Sequence, residues 1–148
     1  MAAGGILNLM SSSLWIEPGA ALNPSLPLSK SELAPLVARL LDVLGLAGAS
    51  VEVRMVDDAE IARLNLEFLG LPGPTNVLSF PAEDDERPDY LGEIALSVDT
   101  LTREAVLYGQ DPAGHLVRLL AHGLLHLAGY DHGQVMEEMT DMAVESVA

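Results

Sequence analysis

Apolar positions recur along this chain in two periods, and the switches between them outline its elements. From Ser29 to Leu46, the residues Leu33, Leu36, Val37, Leu40, Leu41 and Leu44 repeat at helical spacing, with Gly45 and Gly48 as stops. Pro35 marks the first turn of that helix or a kink in it. VEVRMV, Val51 to Val56, alternates apolar and polar residues and predicts a strand. Asp57 and Asp58 then offer an N-cap to a helix that buries Ile61, Leu64 and Phe68 and stops at Gly70. NVLSF, Asn76 to Phe80, lies between Pro74 and Pro81 and reads as a short strand, and LGEIALS, Leu91 to Ser97, as its hairpin-like partner. Ser97 caps a helix through Tyr108, ended by Gly109. Asp111-Pro112, an N-cap followed by proline, opens a helix running to about Leu127, with Gly129 as its stop. A last helix from about Gln134 places Val135, Met139, Met142 and Ser146 along one side. Upstream, ILNLM, Ile6 to Met10, supplies a further strand, and residues 17–29 and 82–90 read as loops.

Strands mixed with helices, without regular βαβ alternation, predict an α/β (α+β) fold. The expected architecture is a mixed β-sheet of about four strands with helices packed on it, in an order the pattern does not reveal. A length of 148 residues fits one domain spanning the chain. A domain of that size buries about 68–70% of its unfolded surface and needs no covalent staples.

Composition narrows the chemistry. The absence of cysteine excludes disulfides and thiolate metal sites, so any zinc must be held by histidine or carboxylate. That composition suits a reducing cytoplasm. No run of apolar residues reaches membrane-spanning length, and MAAGGILNLMSSSLW lacks the basic start of a signal peptide. Acidic residues number 22 against 7 basic ones, Lys30 being the only lysine, for a formal net charge of -15. Such a charge opposes long-range attraction to nucleic acid and leaves no basic face to track phosphates.

Three of the four histidines fall within HGLLHLAGYDHG, His122 to Gly133, at the spacing H-x3-H-x5-H. On a helix, His122 and His126 lie about 40° apart and about 6 Å along one face, a geometry for two imidazoles on one metal. His132 joins them only if the chain leaves the helix and turns back. Gly129, three residues after His126, can take the left-handed conformation that such a turn needs. Three neutral imidazoles on zinc leave a fourth position for water, as in catalytic rather than closed structural sites. The spacing equals that of the metzincin protease motif H-E-x-x-H-x-x-G-x-x-H, but Gly123 replaces the glutamate that serves those proteases as general base.

The histidine motif HGLLHLAGYDH, with LNLEFLGLPGPTNVLSFP from Leu64 to Pro81 and LGEIAL from Leu91 to Leu96, resembles the YbeY family of bacterial metal-dependent endoribonucleases. The resemblance covers roughly residues 50–133. It implies a mixed α/β domain with a metal site in a cleft and one zinc ion per chain on His122, His126 and His132. It also implies single-stranded RNA as substrate, in small-subunit (16S) ribosomal RNA maturation and ribosome quality control. The small subunit and its assembly factors are the implied partners, in the cytoplasm and away from membranes. Leu69 stands where the family usually carries an arginine. An arginine beside a metal-bound phosphate would hold its oxygens and stabilise developing charge, and leucine does neither.

Other residues have two readings each. Thr75, Asn76 and Ser79 are RNA-binding candidates lining the cleft, or they cap a strand edge. His115, seven residues before His122, touches RNA or packs on its helix. Asp131 orients an imidazole or acts as a base, or is a turn carboxylate. Glu93 faces the cleft or, the favoured reading, is an exposed strand residue; the stretch Glu83 to Asp89 reads as solvated, and the Met136, Met139 and Met142 series as packing rather than a binding surface. The leading function is a zinc-dependent endoribonuclease. A non-catalytic ribosome-assembly factor that keeps zinc for structure is the alternative, motivated by Leu69 and the net charge. A metallohydrolase on another substrate, such as a peptide, comes third.

Overall fold

The computed structural model describes residues 12–21, 26, 29–83 and 86–147. In chain order the elements are β1 (Ser12–Ile16), α1 (Pro18–Ala21), α2 (Lys30–Val43), β2 (Ser50–Val56), α3 (Asp58–Leu69), β3 (Val77–Pro81), β4 (Tyr90–Ser97), α4 (Val98–Leu107), α5 (Pro112–Leu127) and α6 (Gln134–Val147). The expected strand at Ile6 to Met10 lies outside the described residues; the first described strand is β1. The stretch read as a loop from residue 17 contains the single turn α1.

The four described strands form one mixed sheet in the order β1-β2-β4-β3. β1 pairs parallel with β2, β2 parallel with β4, and β3 antiparallel with β4. The hairpin-like pair is therefore real, with Ser79 opposite Ile94. β4 lies inside the sheet and is covered on both faces, which is why Ile94, Ala95 and Leu96 are all fully buried.

Alternation along the strands divides the core. Val51, Val53, Met55, Ile94 and Leu96 face the main core with Leu40, Leu120 and Leu124 from the helices. Val56, Leu78 and Ala95 face the other way, against Ile61 and Leu64 of α3. The helices start where the sequence provides oxygen acceptors. Asp57 accepts from the backbone N–H of Glu60 (2.9 Å), Ser97 from Thr100 (3.2 Å) and Asp111 from Gly114 (3.2 Å).

Two expected faces are corrected. Phe68 is 57% exposed, because the core under α3 closes over Ile61 and Leu64 and leaves Phe68 only the edge of the half-buried Phe80 ring to rest on, with centroids 5.2 Å apart. On α6 the buried stripe is Met136, Thr140, Ala143 and Val147, whereas Val135 and Met142 face solvent. Thr140 sits in that stripe because its hydroxyl donates to the carbonyl of Met136 (2.8 Å), so no donor is left open.

Candidate metal centre

α5 carries the first two histidines of the motif. Pro112 at its first turn costs no hydrogen bond, since that N–H has no helical partner. His122 and His126 fall one turn apart, and their Nε2 atoms approach to 3.1 Å. The helix then ends in a tight reversal. Gly129 has φ +97°; its N–H donates to the carbonyl of His126 and that of Tyr130 to Leu125, both at 3.0 Å. These two bonds form the paired closure of a left-handed C-terminal cap. The turn returns the chain and brings the His132 ring to centroid distances of 5.0 Å from His122 and 4.5 Å from His126.

One ligand atom from each histidine lies within 4.8 Å of the others, so the cluster can hold a metal ion. The donor set fits zinc. Imidazole nitrogens at 2.0–2.1 Å from a tetrahedral ion lie about 3.3 Å apart, close to the His122–His126 spacing. His122 and His126 are half-buried and His132 is exposed, which leaves the cluster open on one side. Burial, reinforced by His126 and His132, pushes the His122 pKa below its ordinary value and favours the neutral form that a metal ligand requires.

Two depressions meet at the histidines. One, of about 360 Å³, is lined by all three together with Leu69, Asn76, Ser79 and Phe80. The other, of about 370 Å³, is lined by His122 and His132 with Arg118, Gly133, Met136, Glu137 and Thr140.

The residue after the first histidine acquires a structural reason. A Cβ on Gly123 would lie 3.0 Å from Cδ1 of Ile94, whose side chain is fully buried. The absent side chain lets α5 lie close on β4. Ser79 ties the neighbouring strand β3 to the same helix by donating from its hydroxyl to the Gly123 carbonyl (3.3 Å).

A family model described as Endoribonuclease YbeY matches residues 25–147. The chain belongs to the YbeY family. Endoribonuclease YbeY of Oleidesulfovibrio alaskensis is 47% identical, aligned over 80% of this chain and 83% of its own length. Endoribonuclease YbeY of Nitratidesulfovibrio vulgaris is 45% identical over 82% and 86%. Among solved structures, the solution structure of TM1509 from Thermotoga maritima superposes with a TM-score of 0.66 at 29% identity, covering 92% of this chain and 88% of that one.

Within this chain, Asn76 and Ser79 line the cleft, whereas Thr75 is half-buried and lines neither depression. Asn76 is fixed at both ends: its Oδ1 accepts from the Val77 N–H (2.7 Å) and its amide donates to Glu104 (3.1 Å). The same carboxylate lies 3.0 Å from Nε2 of His115. His115 is only 6% exposed, and Tyr108 packs edge-on against it, so this ring belongs to the interior. Asp131 is exposed and lines neither depression. Glu93 is half-buried rather than exposed, paired with Arg54 at 3.4 Å on the far side of Phe80. Leu69 does face the histidines, 55% exposed. The motif reading missed Arg118, although its spacing of four from His122 puts both on one face of α5.

Proposed function

We propose that the protein is a zinc-dependent endoribonuclease that cuts single-stranded RNA in the cleft at His122, His126 and His132. Membership of a family whose relatives are named endoribonucleases supports the reaction class. The observation that carries the assignment to this cleft is the convergence of three imidazoles, all within 4.8 Å, on one open side. The three histidines would hold one zinc ion per chain, and the chain would act as one domain. When bound, zinc supplies an acidified water near neutral pH and polarises a phosphoryl oxygen.

The chain's own residues shape what enters. Leu69, Phe80 and Pro81 give the cleft apolar walls on which a nucleobase or ribose can rest. Ser79 ties together β3 and α5, which form its sides, and the Asn76–Glu104 contact holds the start of β3 on α4. The substrate in this reading is small-subunit ribosomal RNA, processed in the cytoplasm during maturation and quality control, with the ribosome and its assembly factors as partners. None of the described helices is long and apolar enough to cross a membrane.

A second reading has two observations in its favour. Leu69 presents an apolar side chain to the histidines, and the net charge of -15 repels RNA, as expected of an assembly factor that keeps its metal for structure. A peptidase reading is weaker, because Gly123 offers no general base and a side chain there would press on Ile94. Metal content and cleavage of a labelled single-stranded RNA, each with and without chelator, separate the first two. Chelator-sensitive cleavage supports the nuclease; bound zinc with intact RNA supports the assembly factor.

A further inference from the structure

A phosphodiester approaching this chain meets a strongly negative molecule, so the cations near the histidines decide whether it can be held. Among the described residues, Arg118 is the one lysine or arginine lining either histidine depression. Three of the other arginines are occupied by acids. Arg54 is held by Glu17, Glu60 and Glu93, Arg63 by Glu60 and Glu67, and Arg103 by Asp58. Arg118 has a lighter engagement. One guanidinium nitrogen lies 2.9 Å from one oxygen of Asp141 on α6, with the two side chains 39% and 61% exposed.

A guanidinium carries five N–H donors in a planar fork, and a single-point pair leaves most of them open. An exposed carboxylate held at one point exchanges easily for another oxyanion. A phosphodiester offers two non-bridging oxygens to the same fork. Arg118 also stands one helical turn before His122, so its side chain shares the face that presents the first imidazole.

We propose that Arg118 is a phosphate-binding residue of the RNA site: it leaves Asp141 and holds the backbone phosphate of the strand lying across the histidines. Asp141 fills the place of that phosphate in the free protein. Glu137 lines the same depression and adds negative charge there, which makes the guanidinium the local attraction that offsets it. The role deepens the ribonuclease reading and rests on it.

The test is equilibrium binding of a fluorescent single-stranded RNA, with metal-loaded protein and again after chelation, at several salt concentrations. Arg118→Ala is expected to weaken binding about tenfold. The slope of log K against log salt should become shallower by about 0.7, as for one lost phosphate contact on a single strand. Metal content and circular dichroism should not change. Asp141→Ala is expected to tighten binding about twofold, because the competing carboxylate is gone. An ion pair that only fastens α5 to α6 would make both variants weaken binding alike, and that result overturns the proposal. So does an unchanged affinity and salt slope in Arg118→Ala when the wild type binds. A wild type that neither binds nor cuts RNA overturns the ribonuclease reading itself, and the role of Arg118 with it.

Discussion

His126 occupies the middle of the cluster, with one neighbour on its own helix and one returning from the turn. Its replacement by alanine removes one of three neutral donors, so metal stoichiometry should fall from one per chain toward zero, and any metal-dependent activity with it. Elemental analysis after dialysis reads this directly. Gly123 invites a second test. Alanine there gains helix propensity of about 1 kcal/mol but forces a methyl against buried Ile94, an overpacking cost of about 1–3 kcal/mol. A net loss of about 1 kcal/mol is expected by denaturant unfolding. The loss should shrink when Ile94→Val removes the nearest methyl, giving a coupling of at least about 0.5 kcal/mol. The three histidines were legible because their spacing and an intervening glycine constrain each other. The reason for Gly123 was not, since a missing side chain reads as lost chemistry until the strand beneath it is known. Nor was the pairing of His115 with Glu104, which depends on how α4 folds back on α5.

Helix boundaries were readable because caps are local chemistry. Ser29, Asp57, Ser97 and Asp111 all start helices by accepting a backbone N–H three residues ahead. Buried faces were less readable. The methionines of α6 fit two overlapping stripes, and only packing against α2 and α5 decides between them. Two predictions belong to this scale. Gly129→Ala puts a side chain at φ +97°, at an expected cost of about 1–2 kcal/mol, and displaces His132, so metal affinity should drop along with thermal stability. The second concerns how α3 is fastened to the sheet. Hydrogen bonds from Arg63 and then Arg54 hold the Glu60 carboxyl down to about 2, against an ordinary 4.5. A carboxyl depressed by folding stabilises the native state above its unfolded pKa. That contribution is lost as pH falls from about 4.5 toward 2. Thermal melts across this window should show Glu60→Gln less stable than wild type at neutral pH, with the gap closing toward pH 2.

For the whole molecule, the class of fold followed from the mixture of periods, whereas the strand order did not. β2 and β4 pair in parallel across two intervening segments, α3 and β3, and nothing local in either strand specifies that partner. The order matters, because placing β4 inside the sheet gives α5 a flat buried strand to lie on and aims its histidines at the β3 edge. Charge acts at this scale too. With a formal net charge of -15, RNA must be held by few contacts, and its affinity should fall gently with salt compared with a protein that tracks phosphates along a basic face. The most direct test of the account is a paired measurement on one preparation: zinc per chain, then cleavage of a short single-stranded RNA before and after chelation and zinc restoration. About one zinc per chain is expected, with cleavage that chelation abolishes, zinc restores and His126→Ala lacks. A fully zinc-loaded, folded protein that leaves RNA intact, or cleavage indifferent to chelation and to His126→Ala, would contradict it.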